Sequence, residues 1–309
     1  MRIALAQLDL VIGDLAHAER ALRQAAAHAY AAGAGLLLAS ELAACGGYPP
    51  RDLLERPAFV AAQWAMLERL AVDLPLSALI GCAEALSDGP MPRLANALAL
   101  IDGGRVRSVC RKRLLPTYDV FDEARYFRPG DRPAVVEVGG LRLGLTICED
   151  LWAMAPGTPR YGRDPVAELG GRCDLILNAS ASPYHCGKPR ERARVVADAA
   201  RRAGVPVLYA NQVGAHDELL FDGGSCAIAP DGGPEPEAGG QRRPSAVAGD
   251  ARADPAAAPV AGRAGPRRLR QPAALLELPA QSASRLVVAA ARRRPAPLTW
   301  RSTTCSACT

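Results

Sequence analysis

Gly144-Leu-Thr-Ile-Cys-Glu-Asp-Leu-Trp152 sets the reading of the whole chain, because an apolar run stops there at a thiol, two acids and an indole. Residues 141–147 have the length and apolar density of a buried strand, and Gly139-Gly140 joins them to a second strand at 135–138 as a hairpin. Outward from this point strand and helix alternate. Downstream, the pattern gives a strand at 175–178, a helix from about 189 to 203, and strands at 207–210 and 224–229. Upstream, 2–8 reads as a buried strand, 15–32 as an Ala-rich helix, 36–39 as a strand and 57–72 as a helix. Further strands follow at 76–83, 95–101 and 106–110, the last two joined by Asp102-Gly103-Gly104. The order predicts an α/β protein with two sheets covered by helices in layers.

Composition narrows the class. With 309 residues and 49% hydrophobic side chains the chain can bury a large core. Its formal charge of +5 is not evenly spread. Residues 233–309 hold twelve Arg, no Lys and five acids, so residues 1–232 are slightly acidic and give no argument for nucleic-acid binding. Nine irregularly spaced cysteines do not form a disulfide framework and suit a reducing compartment. Asp9 and Asp14 interrupt the N-terminus too early for a signal peptide, and no apolar run approaches the roughly 20 residues that span a bilayer. A soluble cytoplasmic protein with no membrane partner is expected.

The segment after Asp231 differs in kind. It contains one of the fourteen aromatic residues and is rich in Ala, Pro and Arg, so it offers little to offset the entropy of ordering and reads as disordered. A single C-x-x-C, Cys305 and Cys308, lacks a second pair or histidines and reads as incidental rather than a metal or redox site.

The chemistry is carried by strand ends. Cys148 could be core packing, but it lies where a sheet hands over to a loop, which is where α/β folds place ligands. The neighbouring Glu149 and Asp150 would raise the thiol pKa, so a cation is wanted nearby. Only two lysines occur against thirty-five arginines, which singles out Lys112 and Lys188 as places where a compact ammonium is needed. Lys112 follows the strand at 106–110, and Lys188 ends the loop Ser182-Pro-Tyr-His-Cys-Gly-Lys188 before a helix. A thiol with an ordinary pKa of about 8.5 also needs a base. Glu41, just past the strand at 36–39 and before Cys45-Gly-Gly-Tyr-Pro-Pro50, is the candidate; Glu123 is better placed to orient Lys112 through a charged hydrogen bond.

Glu, Lys and Cys at three strand ends, in that order, resemble the nitrilase superfamily of carbon–nitrogen hydrolases. Longer strings resemble the glutamine-hydrolysing domain of glutamine-dependent NAD synthetases. These are Ala4-Leu-Ala-Gln-Leu, Tyr48-Pro-Pro with Asp52-Leu-Leu54, Leu115-Pro-Thr-Tyr118, Val120-Phe-Asp-Glu-Ala-Arg-Tyr-Phe127, Gly144 to Trp152, Asn178-Ala-Ser-Ala-Ser-Pro183, and Tyr209-Ala-Asn-Gln-Val-Gly214 with Phe221-Asp-Gly-Gly-Ser225. The resemblance covers residues 1 to about 230.

It implies a four-layer α-β-β-α sandwich, a homo-oligomer, and a triad with Glu41 as base, Lys112 as oxyanion stabiliser and Cys148 as nucleophile, supported by Glu123. Tyr118, Trp152, Ser182 and Lys188 would hold glutamine, Lys188 facing its α-carboxylate. The amidase would need no cofactor or metal; ATP and Mg2+ would belong to a synthetase domain that receives the ammonia. No G-x-x-x-x-G-K-[ST] or Ser-Gly-Gly loop for such a domain occurs in this sequence.

Two departures stand out. Glu41-Leu-Ala-Ala-Cys-Gly-Gly-Tyr48 carries one residue more than the family spacing, and Ser40 stands where the family often has Pro. Beyond Gly232 the resemblance stops, which implies an amidase domain over 1–232 lacking its last strands. The tail 233–309 is then either an out-of-frame translation of a GC-rich gene or a natural extension. A free-standing amidase or carbamoylase, and a truncated non-catalytic product, remain as alternatives to a glutaminase.

Overall fold

Leu36-Leu-Leu38 shows how the first sheet begins. Arg2–Gln7 (β1) and Leu36–Leu38 (β2) pair in parallel, with the helix Leu15–Ala31 (α1) crossing between them. The structure is a computed structural model and describes residues 1–87 and 89–231, and beyond these only the backbone of 285–290. Asp14 caps α1 by accepting the His17 N–H at 2.8 Å, and Ala18, Ala21, Leu22, Ala25, Ala26 and Ala29 form its buried stripe at helical spacing. The helix Pro57–Asp73 (α2) starts on a proline, whose missing N–H is no loss there. The strands Ser77–Ala85 (β3), Leu94–Asp102 (β4) and Arg105–Arg111 (β5) follow; Gly103 and Gly104 take the positive φ that the tight β4–β5 turn requires.

The second sheet is built from the central motif outward. Ala134–Val138 (β6) and Leu141–Ile147 (β7) form an antiparallel hairpin, and β7 pairs in parallel with Leu175–Ser180 (β8). The helix Lys188–Ala203 (α3) carries the chain across to Val207–Asn211 (β9), parallel to β8. Val213–His216 (β10) and Leu219–Asp222 (β11) make a separate two-stranded hairpin, and Cys226–Ile228 (β12) closes the sheet antiparallel to β9. Sequence patterning did not reveal the β10–β11 hairpin, whose Gly-Ala-His-Asp-Glu stretch lacks an apolar alternation.

Arg285–Ala290 (β13) pairs antiparallel with β1, giving the first sheet the order β13-β1-β2-β3-β4-β5 and the second β12-β9-β8-β7-β6. This strand departs from the expectation of a tail without packed structure. Its backbone pairs with the side of β1 that β2 leaves open. Cys305, Cys308 and the remainder of the tail lie outside the described residues.

Three apolar layers separate four structural ones, as expected for an α-β-β-α sandwich. The first sheet packs its Leu37, Ala39, Ile80 and Ala99 against α1 and α2. Between the sheets, Leu5, Leu36, Leu38, Leu79 and Leu98 meet Leu143, Leu145, Leu177 and Leu208. On the far side Ile176, Val207 and Tyr209 pack against Val195, Val196 and Ala199 of α3. Among the described residues no helix is long and apolar enough to cross a membrane. Leu177 is fully buried between the sheets, so Leu177→Ala is expected to lower the unfolding free energy by about 2–5 kcal/mol in a denaturant titration, whereas Val72→Ala, on an exposed face, changes it by less than about 0.5 kcal/mol.

Candidate active site

Glu41 is placed by a backbone crossing. After β2 the ladder continues for one bond, Ala39 N–H to the Leu79 carbonyl at 2.8 Å, and residues 40–42 then pass directly over Gly81 of β3. A Cβ at position 81 would lie 2.3 Å from both the Leu42 nitrogen and the Ser40 oxygen, so only glycine lets the chain cross there. The longer loop after Glu41 folds as a 3-10 turn over Ala43–Cys45, entered through Leu42 at φ 50 and left through Gly46 and Gly47 at φ 85 and 101. Gln212 then holds Tyr48 on both sides, accepting its N–H at 2.9 Å and donating to its carbonyl at 3.3 Å. The extra residue is thereby taken up without moving Glu41 out of the cluster described next.

Lys112 reaches that cluster because of a β-bulge. Leu98 pairs with Cys110 but Ala99 pairs with Ser108, leaving Val109 as the extra residue. Before the bulge Val106 faces the helices; after it Cys110 faces the second sheet, and Lys112 follows the same parity. Without the bulge the ammonium would point to the wrong side of the sheet. Fully buried, Nζ donates to Glu41 Oε1 at 2.7 Å and to Glu123 Oε1 at 2.6 Å. Glu41 also receives the Asn96 amide at Oε1 (2.7 Å) and the Ala181 N–H at Oε2 (3.0 Å).

One buried cation thus faces two carboxylates. Burial alone would lower the Lys112 pKa, but Glu123 and Glu41 together outweigh it and hold the ammonium well above the ordinary lysine value. Glu123 behaves differently: burial pushes it up to about 8, against the pull of Lys112 and with the charge of Glu41 adding to the rise. Its Oε2 has no hydrogen-bond partner, whereas Glu41 has three donors. The excess negative charge is therefore relieved by a proton on Glu123.

Cys148 ends β7 in the left-handed region, φ 41, and opens a 3-10 turn over Cys148–Leu151. Strain of this kind is kept where surrounding bonds fix the backbone. Here Asp150 supplies them, accepting the N–H groups of Ile147 at 3.0 Å, Arg113 at 3.0 Å and Leu114 at 2.9 Å. One carboxylate thus ties the cysteine turn to the residues just past Lys112. Burial, then the charge of Glu41, drives the Cys148 thiol well above its usual pKa, with Lys112 pulling the other way. Lys112 is already engaged by two carboxylates, so the thiol is protonated at rest rather than held as a thiolate.

Tyr118 and Lys188, singled out from sequence, lie close enough to interact electrostatically with the thiol. Tyr118 and Tyr161 both donate their hydroxyls to Glu149 Oε1, at 2.9 and 2.7 Å. Lys188, the first residue of α3, sets Nζ 3.7 Å from the centroid of the Trp152 ring, and burial lowers its pKa. Glu191, whose Oε2 lies 3.7 Å from Nζ, opposes that fall. Ser182, buried beside Ala181, donates its N–H to Asn211 Oδ1 at 2.9 Å. Asn96, Gly81, Tyr48, Glu149 and Tyr161 were not assigned roles from sequence. Only Asn96 carried a usable signal, as the one amide in an apolar strand, Leu94-Ala-Asn-Ala-Leu-Ala-Leu100. Among the described residues no group of three or more His, Cys, Asp or Glu is placed to hold a metal ion.

Comparison with known proteins agrees with this geometry. The sequence model of the carbon-nitrogen hydrolases matches residues 2–241, somewhat past the expected limit at 232. The chain is 42% identical over 235 residues to the glutamine-dependent NAD(+) synthetase of Synechocystis sp., covering 73% of this chain and 42% of that protein. It is 38% identical over 231 residues to the enzyme of the same name from Thermotoga maritima, covering 74% and 38%. It therefore spans well under half the length of these relatives. Among solved structures, the glutamine-dependent NAD+ synthetase of Acinetobacter baumannii in complex with ADP superposes with a TM-score of 0.66 at 32% identity, covering 75% of this chain and 42% of that one. An amidase of the nitrilase superfamily from Nesterenkonia AN1 superposes with a TM-score of 0.62 at 29% identity, covering 75% and 84%. A further structure of that amidase shows acrylamide added at its active-site cysteine.

Two outcomes follow from the geometry. Gly81→Ala is expected to destabilise the protein by about 1–3 kcal/mol, through displacement of residues 40–42, and to lower any Glu41-dependent activity more than about tenfold; wild-type stability and activity would disprove the crossing constraint. The second concerns pH. Folded Glu123 binds its proton more tightly than the unfolded chain does, about 8 against 4.5, so its contribution to stability is complete below pH 4.5 and is lost as pH rises through 8. Glu123→Gln is expected to flatten the stability–pH curve in that window, measured by urea titration at several pH values; parallel curves would refute the assignment.

Proposed function

The chain belongs to the carbon-nitrogen hydrolase family of the nitrilase superfamily, and from that premise we propose that it hydrolyses glutamine to glutamate and ammonia through a thioester on Cys148. The observation that carries this reading is the buried Glu41–Lys112–Glu123 cluster beside a cysteine held at a strained strand end. Because the thiol is protonated at rest, attack needs a base at the moment of reaction. Glu41 takes the Sγ proton as Sγ bonds to the side-chain amide carbon of glutamine. The carbonyl oxygen becomes an oxyanion, and Lys112 has one N–H left for it, its other two being held by Glu41 and Glu123. Collapse breaks the C–N bond, and protonated Glu41 returns the proton to the leaving nitrogen as ammonia departs. Water, deprotonated by Glu41, then cleaves the thioester to glutamate and free thiol.

Opposite charges near one another point to the substrate class, Glu149 acting electrostatically on Lys188. Lys188 against the Trp152 ring offers a cation to the α-carboxylate, and Glu149, oriented by Tyr118 and Tyr161, offers an anion to the α-ammonium. A simple aliphatic amide would use neither. In the relatives named NAD(+) synthetases, which are more than twice as long as the matched region, ammonia would pass to a synthetase domain using ATP and Mg2+; for this chain such a domain would be a partner in trans or a continuation of the chain. A second reading has its own support. The Nesterenkonia amidase is matched over 84% of its length, which suits a free-standing amidase acting on a small amide.

A substrate panel separates the two. Glutamine is expected to exceed propionamide in kcat/KM, and Lys188→Ala to raise KM for glutamine about 10- to 100-fold while leaving propionamide nearly unchanged. Cys148→Ala should lower turnover by more than about three orders of magnitude, and glutamine hydrolysis by that variant at the wild-type rate would sink the proposal.

A further inference from the structure

Asn96 lies on β4 with its side chain fully buried, on the face that meets the second sheet. Along that face Leu98 and Leu100 are apolar, so packing alone does not call for an amide. Asn96 Nδ2 donates to Glu41 Oε1 at 2.7 Å, while its Oδ1 is buried without a partner. A half-satisfied buried amide is unfavourable unless the satisfied half does something a Leu cannot. Its orientation is fixed as well, since the flipped amide would set Oδ1 against the Glu41 carboxylate. The main chain of the same residue accepts the Lys112 N–H at 2.8 Å, so Asn96 holds the backbone of one member of the cluster and the side chain of another.

Counting acceptor sites gives the consequence. An ionised carboxylate has about four lone-pair sites, two on each oxygen. Oε1 of Glu41 is filled by Lys112 and Asn96, and Oε2 holds only the Ala181 N–H. We propose that Asn96 is a positioning residue that closes Oε1 of the base, so that Oε2 is the oxygen that takes the Cys148 proton and later returns it to the leaving nitrogen. In the first step the Sγ–H bond breaks and an Oε2–H bond forms; in the second that O–H bond breaks as N–H forms and C–N breaks. This rests on the glutaminase reading for the identity of base and nucleophile. The titratable and charged groups acting around Glu41 are Lys112, Glu123, Cys148 and Tyr48, and none of them duplicates the Asn96 donor.

The test uses Asn96→Leu, which keeps the shape and removes the donor, and the isosteric Asn96→Asp. Both are assayed with glutamine from pH 5 to 9, beside the rate at which iodoacetamide alkylates Cys148, which needs no substrate specificity. For Asn96→Leu, kcat is expected to fall about 10- to 100-fold with KM within about twofold, and the acid limb of both profiles to move up by roughly one pH unit. Asn96→Asp should be the more impaired at neutral pH and recover relative to wild type as pH falls, because a protonated carboxyl regains an O–H donor. A structural role alone would not give that recovery. Unchanged acid limbs, or a deficit in Asn96→Asp that does not vary with pH, overturn the proposal, and the isosteric variant keeps the test decisive where Asn96→Leu does not fold. If wild-type Cys148 resists alkylation throughout, the glutaminase reading falls with it; if wild type is alkylated with an acid limb that both variants share, the Asn96 inference fails alone.

Discussion

A lysine ammonium with no solvent contact, held between two carboxylates, is the constraint from which the centre of this molecule follows. Taking a charge out of water is unfavourable by several kcal/mol even after relaxation, and a single buried carboxylate partner rarely compensates without further hydrogen bonds. The structure meets that demand from four separate segments: Glu41 past β2, Asn96 on β4, Glu123 in a 3-10 turn and the Ala181 N–H past β8. Both sheets must therefore be assembled, and face one another in one register, before the ion cluster exists. Gly81 and the bulge at Val109 are local features of the backbone that make that register possible.

The same cluster explains why the thiol is quiet. Burial raises the Cys148 pKa first and the charge of Glu41 raises it further, while Lys112, already bonded to Glu41 and Glu123, pulls it down too little to hold a thiolate. A neutral buried thiol is a poor nucleophile, so the proposed mechanism has its proton leave as it attacks. The two acids after Cys148 divide the remaining work. Asp150 turns to three backbone N–H groups and shapes the turn, while Glu149 accepts from two phenols. Adjacent acidic residues thus hold a backbone turn and a pair of tyrosines.

The chain is similar to glutamine-dependent NAD(+) synthetases over less than half of their length and to an amidase of the nitrilase superfamily over most of its length. In the proposed reading an amino-acid amide engages Lys188 and Glu149, whose side chains are placed by the Trp152 indole and by the phenols of Tyr118 and Tyr161.

The sequence by itself determined the order of strands and helices, apart from the β10–β11 hairpin and the strand at 285–290, and the strand-end positions of Glu41, Lys112 and Cys148. Periodicity and turn glycines are written locally, and two lysines among thirty-five arginines are conspicuous in any reading. It also placed Glu123 near Lys112, now seen at 2.6 Å. Only the tertiary structure decided which face Lys112 takes, because a bulge resets the alternation and leaves no mark in composition. It alone brought Asn96, Ala181 and Tyr161 to the site from separate segments, and it paired 285–290 with β1 from far along the chain. The protonation of the thiol belongs to the same class. It depends on the sum of burial and charges contributed by several elements, and that sum is defined only once they are packed.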